Sequence, residues 1–169
     1  MANKRRFLIP LIAAILAGCG GSHTLSGPLV GAHATTSAQS KLIAEADPIC
    51  AAASAKRAAA NAQLGVGASL TSPKTMFTIA QTAPGVAAAE HQAVAKLSKL
   101  KAPASIASDW RTLLTGLQQL ASATAKLGTD ASENNPQSAR ELVASTQPTR
   151  KNLEAIAARD GFANCGRND

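Results

Sequence analysis

The stretch IASDWRTLLTGLQQLASATAKLG, residues 106–128, decides the fold. Its apolar positions Ile106, Trp110, Leu113, Leu117, Leu120 and Leu127 recur at alternating steps of three and four. That spacing places them on one face of a 3.6-residue helix, and Leu114 and Ala121 widen the stripe. Thr124 is the one polar member of the seam, and its hydroxyl can bond back to the carbonyl of Leu120. Gly128 is expected to end the helix. An apolar stripe along so long a helix must be covered by other helices, so this segment is expected to be the central helix of a bundle, with Trp110 in the core.

The flanking sequence supplies the partners. Alanine dominates from residue 39 onward, β-branched and aromatic residues are sparse, and no strand-like alternation of useful length occurs. A first helix is expected over residues 40–64, with Leu42, Ile43, Ala46, Ile49, Cys50 and Ala53 on its stripe and Gly65 and Gly67 after it. Asp47-Pro48 predicts either a kink or a fresh start capped by Asp47. A second helix follows Ser72-Pro73 and runs to Leu100, interrupted near Thr82 and Pro84, with Val86, Ala87, Val94 and Leu97 on one face. A fourth starts at Asn135-Pro136 and reaches Arg159, bent at Pro148, with Ala139, Leu142, Val143, Leu153, Ile156 and Ala157 inward. Gly161 suits a left-handed cap, letting Phe162 fold back on the last turn. Four helices with short connections predict an all-α, up-down-up-down four-helix bundle with Pro-kinked helices.

Upstream of the bundle the pattern changes. Lys4-Arg5-Arg6 precedes an apolar run, Phe7 to Ala17, which is too short to span a bilayer. Leu16-Ala17-Gly18-Cys19 then resembles the lipobox of bacterial lipoproteins. The resemblance implies a signal peptide at residues 1–18, removed by cleavage before Cys19, and a diacylglycerol on the Cys19 sulfur. Two acyl chains of the palmitate kind suffice for stable anchoring, because each buried methylene contributes about 0.8 kcal/mol. Residues 19–38 are then the lipidated cysteine and a flexible tether of Gly, Ser, Thr and Ala, and residues 39–169 are the helical domain.

Loss of the signal peptide also changes the charge. The whole chain carries 17 basic and 10 acidic residues, a net charge of +7. Without Lys4, Arg5 and Arg6 the balance is 14 against 10, or +4. The remaining cations, Lys96, Lys99, Lys101, Arg111, Arg150 and Lys151 among them, are spread along the chain and suit a modest attraction to anionic headgroups. Nucleic-acid binding is not expected, since Tyr is absent and Trp110 is the sole Trp.

Cysteine arithmetic fits an exported protein. With Cys19 given to lipid, Cys50 and Cys165 remain as a pair in an oxidising space. An up-down-up-down bundle brings the start of its first helix beside the end of its fourth, which juxtaposes the two and predicts a disulfide.

Catalytic constellations are sparse. A carboxylate-bridged metal site needs Glu-x-x-His pairs, and none occurs, so no metal or other cofactor is expected. No Gly-x-Ser-x-Gly elbow is present, and Gly65-Val66-Gly67 reads as helix termination rather than a phosphate loop. Glu90 lies four residues before Val94 on the apolar stripe and is expected to face the core, where it needs a backbone or Arg partner. His91 flanks that stripe as an exposed titrating group or an axial ligand. If the bundle holds a ligand, Glu90 and His91 are the residues expected to meet it.

Ala46-Asp47-Pro48-Ile49-Cys50, Asp109-Trp110-Arg111-Thr112-Leu113-Leu114 and Asn164-Cys165-Gly166 together resemble a group of small alanine-rich lipoproteins of high-GC, actinobacterial-type genomes. The resemblance bears on fold and compartment and implies no activity. The expectation is a non-enzymatic, lipid-anchored interaction or accessory module on the extracytoplasmic face of the cell membrane or outer membrane, held by acylated Cys19 and meeting an envelope protein partner. The alternative is an extracytoplasmic binding protein for an apolar or haem-like ligand within the bundle.

Overall fold

A computed structural model describes residues 35–167, so the expected signal peptide, Cys19 and most of the expected tether lie outside the described residues. Four long helices follow one another: α1 (Ser37–Leu64), α2 (Pro73–Leu97), α3 (Ala107–Ser132) and α4 (Pro136–Asp160). A single 3-10 turn at Ala104–Ile106 leads into α3, and no strand occurs among the described residues. α3 packs against both α2 and α4, and α1 against α2. The central place given to the 106–128 segment is therefore observed.

Helix starts follow cap chemistry. The side chains of Thr36, Ser72 and Asn135 accept from the backbone N–H of Gln39, Thr75 and Ser138, satisfying donors that an open helix end leaves free. Pro73 and Pro136 occupy first-turn positions, where the missing N–H costs nothing. Thr36 caps α1 earlier than the expected start at residue 40, so Ser37 and Ala38, expected in the tether, belong to the helix. The buried Gln39 explains the extension, because its amide donates to the carbonyl of Asp160 at 2.9 Å.

Pro48, Pro84 and Pro148 all lie inside continuous helices. Each is exposed, and so are Ala44 and Ala144, whose carbonyls Pro48 and Pro148 leave without a helical donor, whereas Ala80, four residues before Pro84, is half-buried against the smaller core cluster. The fresh start at Pro48 does not occur, and Asp47 caps something else, described below. Gly128 does not end α3 either: it is buried within the helix, where an added Cβ would lie 3.2 Å from Ala83 Cβ and 3.4 Å from Pro84 Cδ. The glycine is a close-approach point between α2 and α3. α2 stops at Leu97, three residues before the expected end, in tight turns from Lys99 N–H to the Lys96 carbonyl and from Leu100 N–H to the Leu97 carbonyl.

The core divides into two clusters. The larger holds Leu42, Cys50, Leu97, Trp110, Leu113, Leu153, Ile156 and Phe162 among others, near the end where α1 begins and α4 ends. The smaller, around Met76, Ile79, Ala83, Ala131 and Ala139, lies toward the opposite end. Val143, expected inward, is exposed.

After α4 the chain folds back as a strap, residues 161–167. Gly161 adopts φ +85°, and the N–H groups of Gly161 and Phe162 both donate to the Ala157 carbonyl. Phe162 is buried and stacks on Trp110 at 5.6 Å. The Asp47 carboxylate accepts from the backbone N–H groups of Ala163, Asn164 and Cys165 at 2.9, 3.0 and 3.2 Å. Cys165 is disulfide-bonded to Cys50, with the two Cα atoms 5.1 Å apart.

Candidate functional site

The strap roofs a cavity in the larger core cluster. Positions 50, 53, 54 and 57 share one face of α1, and 90, 93, 94 and 97 share one face of α2, so both faces turn toward the same space. Leu117 and Leu120 of α3 and Leu153 of α4 close the floor, and Asn164, Gly166 and Arg167 of the strap close the top. Most of this lining is apolar, with the polar groups gathered on α1, α2 and the strap. The space amounts to about 40 Å³, enough for roughly three waters. Ligand pockets typically enclose about 300–1,000 Å³, so a haem-like ligand does not fit this space without rearrangement of the bundle.

Glu90 is buried as expected, and Arg57 is the partner its charge requires. Glu90 Oε1 accepts from Arg57 Nε at 3.0 Å and from Arg57 Nη2 at 2.7 Å. Glu90 Oε2 is equally buried and accepts nothing. Arg150 of α4 belongs to the same electrostatic group. Burial first, and then the Arg57 charge, hold its guanidinium below the usual value, while Glu90 and Glu154 pull it back up. It stays cationic at neutral pH. Two arginines from different helices thus act on one buried carboxylate.

His91 goes elsewhere. One residue along α2 is about 100° around the helix, and its Nδ1 meets Gln118 Nε2 at 3.3 Å. It borders a shallow surface hollow beside Ala88, Ala125 and Thr129, not the Glu90 cavity. The two residues expected to meet one ligand therefore face different spaces.

A second carboxylate cluster ends the bundle near α1. Arg159 pairs with both Asp109 and Asp160. Burial pushes the Asp160 carboxyl above its ordinary value against the pull of Arg159, and the Asp109 charge adds to the rise. At the opposite end the buried Asp130 accepts from Lys126 Nζ at 2.8 Å and Ser138 Oγ at 2.9 Å. The Lys126 hydrogen bond chiefly, with Ser138 beside it, holds its carboxyl below the ordinary value. Among the described residues no three His, Cys, Asp or Glu side chains are grouped to hold a metal.

Sequence reasoning missed a polar trough between α3 and α4, an open groove of about 630 Å³. Ser108, Thr112, Thr115 and Gln119 line its α3 side, and Thr149 and Asn152 line α4. Their spacing was the available signal: steps of four, three and four make a second, polar stripe on the same helix as the apolar seam. With Arg111 also on its α3 side, the trough offers hydroxyl, amide and guanidinium hydrogen bonds, with no acid–base pair and no aromatic platform.

No protein-family model matches the chain, and no curated protein or solved structure matches it. No helix among the described residues is long and apolar enough to cross a membrane.

Proposed function

We propose that this protein is a lipid-anchored lipoprotein of the cell envelope, a tethered helical module that works through its surface and not by catalysis. The observation that carries the proposal is the use of the three cysteines. Cys50 and Cys165 pair with each other, an arrangement suited to an oxidising compartment, and Cys19 is left at the end of a Leu-Ala-Gly-Cys sequence. The buried carboxylate is tied to arginine, and the enclosed space beside it is of solvent size. The polar trough between α3 and α4 is the surface we assign to a partner in the envelope.

The anchor is tested by labelling cells with a radioactive or alkyne-bearing palmitate. The wild-type chain should take up label, partition into detergent and migrate as the cleaved form. Cys19→Ser should take up none and accumulate as precursor; a cleaved, membrane-retained Cys19→Ser protein overturns the proposal. A photocrosslinking side chain at Thr115 should capture an envelope protein that the same group at Lys56 does not.

A further inference from the structure

We infer that the end of the bundle carrying the α2–α3 connection is a docking face for an anionic lipid surface. Residues 91–108 contain three lysines and no Asp or Glu. Lys96, Lys99 and Lys101 are all exposed, and none makes an ion pair among the described residues. Lys96 lies in the last turn of α2, where a cation complements the helix dipole. That role does not extend to Lys99 and Lys101, which lie beyond the helix.

The acids at the same end are already engaged. Glu45 pairs with Lys41, Asp109 and Asp160 pair with Arg159, and Asp47 is occupied by three strap N–H groups. None of these acids reaches the three lysines, and although Asp47 and the Asp109–Asp160 pair on one arginine leave some negative charge at this end, the exposed lysines outnumber it. At the other end Lys126 is matched to Asp130.

Topology decides the occupant. α1 begins at this end, so the chain enters the bundle beside the lysines, and fifteen residues separate Cys19 from Thr35. Taken as the flexible tether expected from its composition, that segment spans about 21 Å, whereas α1 is about 42 Å long. This step rests on the proposed anchor: a chain acylated at Cys19 holds the lysine end nearer the bilayer than the far end. Cations within a Debye length of anionic headgroups bind them, and each basic residue contributes roughly five-fold in affinity.

The test removes the anchor, so that the face is read alone. The chain from residue 19 onward, carrying Cys19→Ser, is sedimented at 0.1 M salt with vesicles of phosphatidylcholine, or of phosphatidylcholine and phosphatidylglycerol at three to one. Binding is expected only with phosphatidylglycerol and should fall steeply by 0.5 M salt. Lys99→Glu with Lys101→Glu should weaken it about 25-fold or more, with an unchanged melting curve showing that the fold survives. Lys56→Glu with Lys74→Glu, of equal net charge, should change it less than about three-fold. Absence of binding, equal binding to both vesicles, or equal losses from the two double variants overturns the inference. Palmitate labelling reads the anchor separately, so a failed lipobox and a failed docking face give different results.

Discussion

Glu90 illustrates what burial asks of a single residue. A carboxylate taken out of water needs a partner, and Arg57 gives it two hydrogen bonds on one oxygen. Arg57→Met should therefore cost about 2–3 kcal/mol in urea denaturation, at the low end for a broken buried pair because the Arg57 side chain is still 21% exposed. Adding Glu90→Leu should restore most of that loss; a double variant no more stable than the single one means that the pair is not what holds the site. Asp130 and Asp160 make opposite pH contributions. Asp130 has a folded pKa below its ordinary value of 3.8, so its stabilisation is present above that value and lost as pH falls through the lower one. Asp160 is raised, so it opposes folding at neutral pH and ceases to as pH falls through its folded value. Asp130→Asn should accordingly lose less stability than wild type between pH 5 and pH 2, whereas Asp160→Asn should lose more.

At the scale of helices, the glycines separate what pattern alone can and cannot show. The apolar seam of α3 was legible because six large side chains repeat at helical spacing. Gly128 was not, since a glycine after such a seam reads equally as a stop or as a contact point, and only the position of Ala83 and Pro84 distinguishes the two. The same holds for Gly116, buried where a Cβ would lie 2.7 Å from Leu153 Cδ2. Both glycines are buried while Leu117 and Leu127 beside them are only half-buried, because α3 is covered by two different neighbours: Gly116 faces Leu153 of α4, and Gly128 faces Ala83 and Pro84 of α2. Caps at Ser72, Asn135 and Gly161 were readable because their chemistry is local. Arg57 as the partner of Glu90 was not, because the two lie on different helices. Substitution tests the distinction. Gly85 faces open space, so Gly85→Ala should raise stability by about 0.5–1 kcal/mol through helix propensity. Gly116→Ala gains the same propensity but presses on Leu153, which is itself buried, and should lower stability by about 1–2 kcal/mol. Paired thermal melts decide it, and equal signs for the two would mean that α3 and α4 do not approach as closely as Gly116 implies.

For the molecule as a whole, the strap ties the segment after α4 back to α1 and α3. Three kinds of interaction hold it: the Phe162–Trp110 stack, the three N–H groups on Asp47, and the Cys50–Cys165 disulfide. They differ in what they act on. The stack and the Asp47 bonds exist only in the folded state, whereas the disulfide also constrains the unfolded chain, closing a loop of 115 residues. In the chain-entropy model that closure contributes about 4–5 kcal/mol, a large share of the 5–15 kcal/mol typical of a domain. Cys50→Ala with Cys165→Ala should lower unfolding free energy by an amount approaching that figure. Asp47→Ala should cost less globally but selectively speed hydrogen exchange at residues 163–165. Cys165 is 0% and Cys50 6% exposed, so a thiol reductant has little access to the bridge in the folded protein. Native protein in dithiothreitol should keep its bridge and lose it only at the rate of unfolding, read as mass gain of two after alkylation-quenched time points are corrected for label. Rapid reduction without unfolding would show that the strap lifts on its own, and would make it a movable roof over the Glu90 cavity instead of a fixed one.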